Sequence, residues 1–260
     1  MDKDELLKLF NDNDGRFIPG IYNYCDRWCE RCSFTSRCRV YNMEGEMTDE
    51  EKDARNGEFW EKVSENLKLA VEMMTKIAEE RGIDLREMGE NFPEENETER
   101  EKEASGHYLS VLSKEYATRN ELWTGVNQDL IMNTVKRYRE NMGLGIPGGE
   151  ALNSVQEIHD AVEVIDWYSF QIHVKIMRAL QYGEPDPEYD DPVQNDANGS
   201  AKVALIATHR SIAAWGVLLS HIEQCEDEIL GILVLLEQVK KGILKEFPEV
   251  EKFHRPGFDD

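Results

Sequence analysis

The chain has 260 residues, 40% of them hydrophobic, and a formal net charge of −23. That length and apolar content allow one large domain or a main domain with an appendage. The acidic balance excludes a broad surface for nucleic acid or anionic lipid, because it repels their phosphates.

The charge is unevenly spread. Residues 1–41 contain seven basic and seven acidic residues, so residues 42–260 carry the whole −23. The opening Met1-Asp2-Lys3-Asp4-Glu5 has no basic run leading into an apolar one. No uninterrupted apolar run reaches the eighteen or so residues that span a bilayer. A soluble cytoplasmic protein is expected, with no nucleic-acid or membrane partner.

In chain order, a short helix is expected around residues 3–10, and Asn11-Asp12-Asn13-Asp14-Gly15 reads as a turn. The next stretch holds four of the five cysteines and reads as irregular structure. Thr48-Asp49-Glu50-Glu51 has the form of a capping box, with Thr48 as cap and Glu51 three residues on. Phe59, Val63, Leu67, Ala70, Val71, Met74, Ile77 and Ala78 then recur at helical spacing, and the helix should end near Arg81-Gly82. The glutamate-rich stretch near 86–103 reads as an exposed linker.

A further helix is expected over about 104–142, closed by Gly143 to Gly149, and another over about 151–182. Residues 183–199, with six acids, no bases and three prolines, read as a second acidic loop. The last stretch, about 200–246, would be some 70 Å long if unbroken, so a bend or break is expected. No strand signal competes.

Each long helical segment supplies one tryptophan, Trp60, Trp123, Trp167 and Trp215, which suggests rings filling one core. The expected fold is all-α: a bundle of about four long helices (residues 46–250) with a small N-terminal cysteine-rich metal-binding module (residues 1–45) and a tail (251–260).

Cys25, Cys29, Cys32 and Cys38 form the run Cys-x3-Cys-x2-Cys-x5-Cys, with Cys225 far away. In a reducing compartment such spacing points to metal ligation rather than disulfides. Structural zinc sites usually pair two Cys-x2-4-Cys knuckles, and only one Cys-x2-Cys is present. Iron–sulfur runs are denser, since one winding loop can reach several corners of a cubane. The Cys29–Cys38 portion resembles the ending of the iron–sulfur loop in endonuclease III-type DNA glycosylases. Over those ten residues the resemblance implies that the spacing can hold a cubane, while the longer gap that precedes it there is missing here.

Arg16, Arg27, Arg31, Arg37 and Arg39 could offset the charge of the thiolates, and Tyr22, Tyr24, Trp28 and Phe34 could shield them from water. A [4Fe–4S] cluster is the leading expectation and a zinc ion the alternative. Cys25-x3-Cys29-x2-Cys32 also matches the spacing of radical S-adenosylmethionine enzymes. Arg31 stands where they usually carry an aromatic, Cys38 is a fourth ligand, and no strand–helix alternation is present, so that reading is rejected.

On the helix near 151–182, His159, Glu163, Asp166 and His173 fall within a stripe of roughly 80° at about 100° per residue. They form a candidate second metal or proton-transfer site, weighed against a solvated polar seam. Glu-x-x-His pairs of the ferritin-like kind are absent from the helices. Arg119, Asn120 and Asn127 border an apolar stripe and need partners or a ligand. Asp186-x-Glu188-x-Asp190 imitates the opening of a calcium loop without its glycine or closing glutamate.

Three functions follow as expectations. The first is an iron–sulfur protein acting in electron transfer, redox sensing or redox catalysis, with a protein or small-molecule redox partner. The second is a zinc-stabilised helical interaction protein without catalysis. The third is a metallo-oxidoreductase with its site at His159, Glu163, Asp166 and His173.

Overall fold

A computed structural model describes residues 15–45, 47–82, 94–143, 148–182 and 191–259. The described residues are helical with no strand, as the periodicity requires. The helices are α1 (Arg39–Gly45), α2 (Asp49–Lys52), α3 (Gly57–Arg81), α4 (Glu94–Gly106), α5 (Tyr108–Gly143), α6 (Gly148–Gln181), α7 (Asp196–His221) and α8 (Glu226–Glu246). Single 3₁₀ turns occupy Cys29–Arg31, Thr35–Arg37 and Glu223–Cys225. The chain forms two compact units. One is Met1–Asn23 with Cys29–Thr98, and the other is Tyr24–Trp28 with Glu99–Asp260.

In the first unit, the expected capping box forms. The Glu51 N–H donates to Thr48 Oγ1 at 3.2 Å and the Thr48 N–H to Glu51 Oε2 at 2.8 Å. It opens only the short α2, because Asn56 then caps a new helix through the Glu58 N–H. That helix, α3, ends where the sequence placed its end, at Gly82 in the left-handed region at φ 66°. Trp60, Leu67, Val71 and Met74 on α3 are exposed.

The second unit contains the hydrophobic core. Helices α5, α6, α7 and α8 each pack on the next, and α8 returns to α5, so the four close a ring around one interior. Leu109, Tyr116 and Trp123 of α5, Ile158, Ile165, Ile172 and Ile176 of α6, Trp215 and Leu218 of α7, and Ile229, Leu236, Val239 and Ile243 of α8 fill it. Helix α8 comes close to α5 at Gly242, where a Cβ would lie 2.7 Å from Leu109 Cδ1.

The expected break in the last long segment falls at Ile222 and the 3₁₀ turn Glu223–Cys225, so the segment supplies two helices of the ring, while several other expectations are corrected. Glu226, Asp227 and Glu228 crowd the first turn of α8, where the helix dipole favours negative charge. Of the four tryptophans, Trp123 and Trp215 are core residues, whereas Trp60 is 61% and Trp167 37% exposed. The glutamate-rich stretch is helical from Glu94, because Glu, Lys and Arg are strong helix formers even without an apolar face.

The second acidic loop ends earlier than expected, since the Asn195 side chain caps α7 by accepting the Asn198 N–H at 2.9 Å. The tail also packs, with Phe253 buried. Helix α7 is long and apolar enough to span a bilayer by length and composition, and half of its apolar window is buried in the fold. Its hydropathy comes from two apolar stretches, Val203 to Ala207 and Ile212 to Leu219, separated by Thr208-His209-Arg210-Ser211, which is why no unbroken run flagged it. The expected helix near 3–10 and the Asp186–Asp190 motif lie outside the described residues.

Candidate metal centre

All four clustered cysteines are free thiols and half-buried, whereas Cys225 is buried. Cys29, Cys32 and Cys38 lie in the first unit on a tight path. The Cys32 N–H donates to Cys29 O at 3.2 Å, the Arg37 N–H to Phe34 O at 2.9 Å, and the Cys38 N–H to Thr35 O at 3.2 Å. A longer contact, Ile18 N–H to Arg37 O at 3.0 Å, ties the far end of the path to the segment before it. The Phe34 N–H points at Cys32 Sγ, 3.4 Å away. Arg16 and Arg39 lie over the ring of Phe17, at 4.8 and 5.2 Å from its centroid.

Cys25 lies in the second unit, and its neighbours are tied to α6 and α7. The Asp26 carboxylate accepts from the Tyr168 hydroxyl at 2.6 Å and from Arg210 Nη1 at 2.6 Å. Its carbonyl accepts from Trp167 Nε1 at 3.0 Å and Gln171 Nε2 at 2.6 Å. Its other carboxylate oxygen accepts the Trp28 N–H at 3.2 Å. Trp28 stacks on Trp167 with centroids 5.0 Å apart and meets Tyr168 edge-on.

On the other side of Cys25, the Tyr24 hydroxyl donates to Asp196 Oδ1, a carboxylate held bidentately by Arg178. The Tyr24 ring fits over Gly199, where a Cβ would lie 2.3 Å from Tyr24 Cε1. It also packs edge-on against Phe253.

Electrostatics at Cys25 oppose one another. On balance the thiol is pushed up: burial, joined by the Asp26 charge, raises it, while the Arg27 backbone N–H, which bonds the sulfur, and the Arg27 and Lys175 charges pull it down. Arg27 adopts φ 57°, unusual for a residue with a side chain. Burial lowers the Lys175 ammonium, helped by Arg178. Tyr168 is raised well above an ordinary phenol by burial and by its bond to Asp26.

These features fit a metal-bound thiolate set. Cys25 and Cys32 each receive a backbone N–H from the residue two positions on, and such N–H···S bonds stabilise thiolate charge and tune a centre.

His159, Glu163, Asp166 and His173 of α6 do not converge as a quartet. His159 Nε2 lies 3.7 Å from Glu163 Oε1, and with Asp160 they are the one trio of His, Cys, Asp or Glu ligand atoms within 4.8 Å of one another among the described residues. His159 is exposed. His173 instead bonds Ser113 Oγ at 3.0 Å, and burial lowers its imidazole. Asp166 is solvent-facing, though partial desolvation raises its carboxyl. Arg119 pairs with Glu115 within its own helix. Asn127 donates to Trp123 O and accepts from the Cys225 thiol. Asn120 is 2% exposed, with its Oδ1 unpartnered.

Sequence reading missed Asp26, Gln171, Lys175, Arg178, Asp196 and Arg210. Apart from the Arg178–Asp196 pair, 18 residues apart, their significance depends on contacts across more than a hundred residues, for which periodicity has no signal. It also missed a hydrogen-bonded chain in which His221 joins Tyr138 at 3.0 Å and Glu157 at 3.2 Å across three helices. Comparison of the chain with family models, curated proteins and solved structures finds no match.

Proposed function

We propose that the chain is an iron–sulfur protein, with Cys25, Cys29, Cys32 and Cys38 as ligands of one [4Fe–4S] cluster in a cysteine-rich N-terminal module. Its role is electron transfer or redox sensing with a protein or small-molecule partner. The observation that carries the reading is the thiol run itself, with N–H···S bonds on Cys25 and Cys32.

The spacing of the cysteines along the chain favours a cluster over a single ion, since structural zinc sites usually pair two Cys-x2-4-Cys knuckles and only one Cys-x2-Cys is present. A cubane binds its thiolates at separate corners and spreads them more widely. The cluster supplies one-electron chemistry, and the protein supplies ligands, shielding and charge compensation.

Serine replacement tests the ligand set. Cys25→Ser, Cys29→Ser, Cys32→Ser and Cys38→Ser should each lose or destabilise the cluster, and Cys225→Ser should retain it. A protein that binds one zinc ion and no iron, or that needs Cys225, overturns the reading.

A further inference from the structure

We infer that Asp26 is the positioning residue of the centre, fixing Cys25 against the helical core before any metal arrives; this rests on the reading of the four cysteines as ligands. Asp26 presents three acceptor atoms, and each one is engaged. The Oδ2 atom takes Tyr168 and Arg210, Oδ1 takes the Trp28 N–H, and the carbonyl takes Trp167 and Gln171. Trp167, Tyr168 and Gln171 come from α6 and Arg210 from α7, so one residue is gripped by two helices of the ring.

Within this grip lies the backbone of Arg27, in the left-handed region, whose N–H bonds the Cys25 sulfur. Such a conformation costs free energy and persists where its surroundings over-determine it. The five contacts onto Asp26, with the Trp28–Trp167 stack, supply that constraint. Tyr24 holds the other side of Cys25, and only a glycine at position 199 leaves room for its ring. Cys25 is therefore flanked by two anchored residues.

Cys32 and Cys38 are held differently, by hydrogen bonds spanning two to four residues. Ordering a ligand before binding reduces the entropy that metal capture must overcome. One prefixed thiolate gives the metal a landing point. Asp26 touches neither metal nor substrate in this scheme. It acts through the position of Cys25.

The test uses the full chain with Asp26→Ala, Asp26→Asn and Gly199→Ala, each checked for native helicity by circular dichroism. In metal-free protein, iodoacetamide alkylation of each cysteine is followed by mass spectrometry. Asp26→Ala should speed labelling of Cys25 by about tenfold or more while Cys32 changes less than about twofold, since local release exposes one segment. Anaerobic titration with ferrous iron and sulfide should show cluster retention weakened by about 10–100-fold.

Gly199→Ala should reproduce both effects without altering Asp26, and it serves as the deciding variant if Asp26→Ala fails to fold. Asp26→Asn keeps an acceptor but loses the charge facing Arg210, so its effects should be intermediate. Unchanged Cys25 labelling, or an equal rise at every cysteine, overturns the positioning role. Normal cluster retention in Asp26→Ala and Gly199→Ala, with a loaded wild type, overturns it while leaving the metal reading intact. A wild type that takes up no iron removes the metal reading, and the positioning role with it.

Discussion

Two adjacent stretches of the cysteine segment are held in opposite ways. Residues 24–28 are tied by long-range hydrogen bonds and ring stacking to α6 and α7, whose other faces build the hydrophobic core. Residues 29–38 are organised chiefly by turns spanning a few residues, with Ile18 N–H to Arg37 O as a longer tie. Short turns cannot by themselves offset the entropy of ordering a chain with few apolar side chains. The contrast teaches that one thiol is positioned by long-range packing, whereas the others sit in chain organised mostly by its own turns.

The largest expected effect comes from breaking the core that supports the first stretch. Trp215 is fully buried, packs edge-on against Trp123 and donates its indole N–H to Tyr116. Trp215→Ala should cost about 3–5 kcal/mol, measured by chemical denaturation. It should also loosen residues 24–28 through the helices they lean on.

Tyr168→Phe sharpens the comparison more gently. It keeps the ring beside Trp28 and removes one donor to Asp26, so a loss of about 1–2 kcal/mol is expected in the same assay. Cys32→Ser in metal-free protein should change global stability by about 0.5 kcal/mol or less, because its turn is local. A loss comparable to that of Trp215→Ala would erase the distinction between the two stretches.

A pH effect should arise on the core side. Burial lowers the His173 imidazole, with Lys114 adding to the shift, so the unfolded chain takes up the proton more readily. Stability should be full above the unfolded value of about 6.5 and fall as pH drops through the depressed folded value. His173→Gln should flatten that fall in denaturation curves between pH 5 and about 7.

Much of the helical layout was legible in the sequence. The α3 terminus at Gly82 and the isoleucine spacing of α6 follow from local chemistry and period. The same periodicity marked an apolar stripe on α3 as readily as on α6, yet Trp60, Leu67, Val71 and Met74 are exposed. A period shows that a face exists and not what covers it. The break after His221 was hidden for a related reason: no proline or glycine marks it, and Ile222 is itself fully buried.

At the candidate centre the cysteine spacing was readable and its support was not. Asp26 looked like one of two acids among five arginines, and its role emerges only from contacts with residues 141 to 184 positions away. On the polar stripe of α6, His159 and Glu163 share a neighbourhood, while His173 turns to Ser113. Helical angle alone could not separate those directions.

The most direct measurement is the absorption spectrum of anaerobically purified protein, with iron, sulfide and zinc counted per chain. The account predicts a broad band at about 400 nm with about four irons and four sulfides. A colourless protein carrying one zinc ion, or no metal at all, would contradict it.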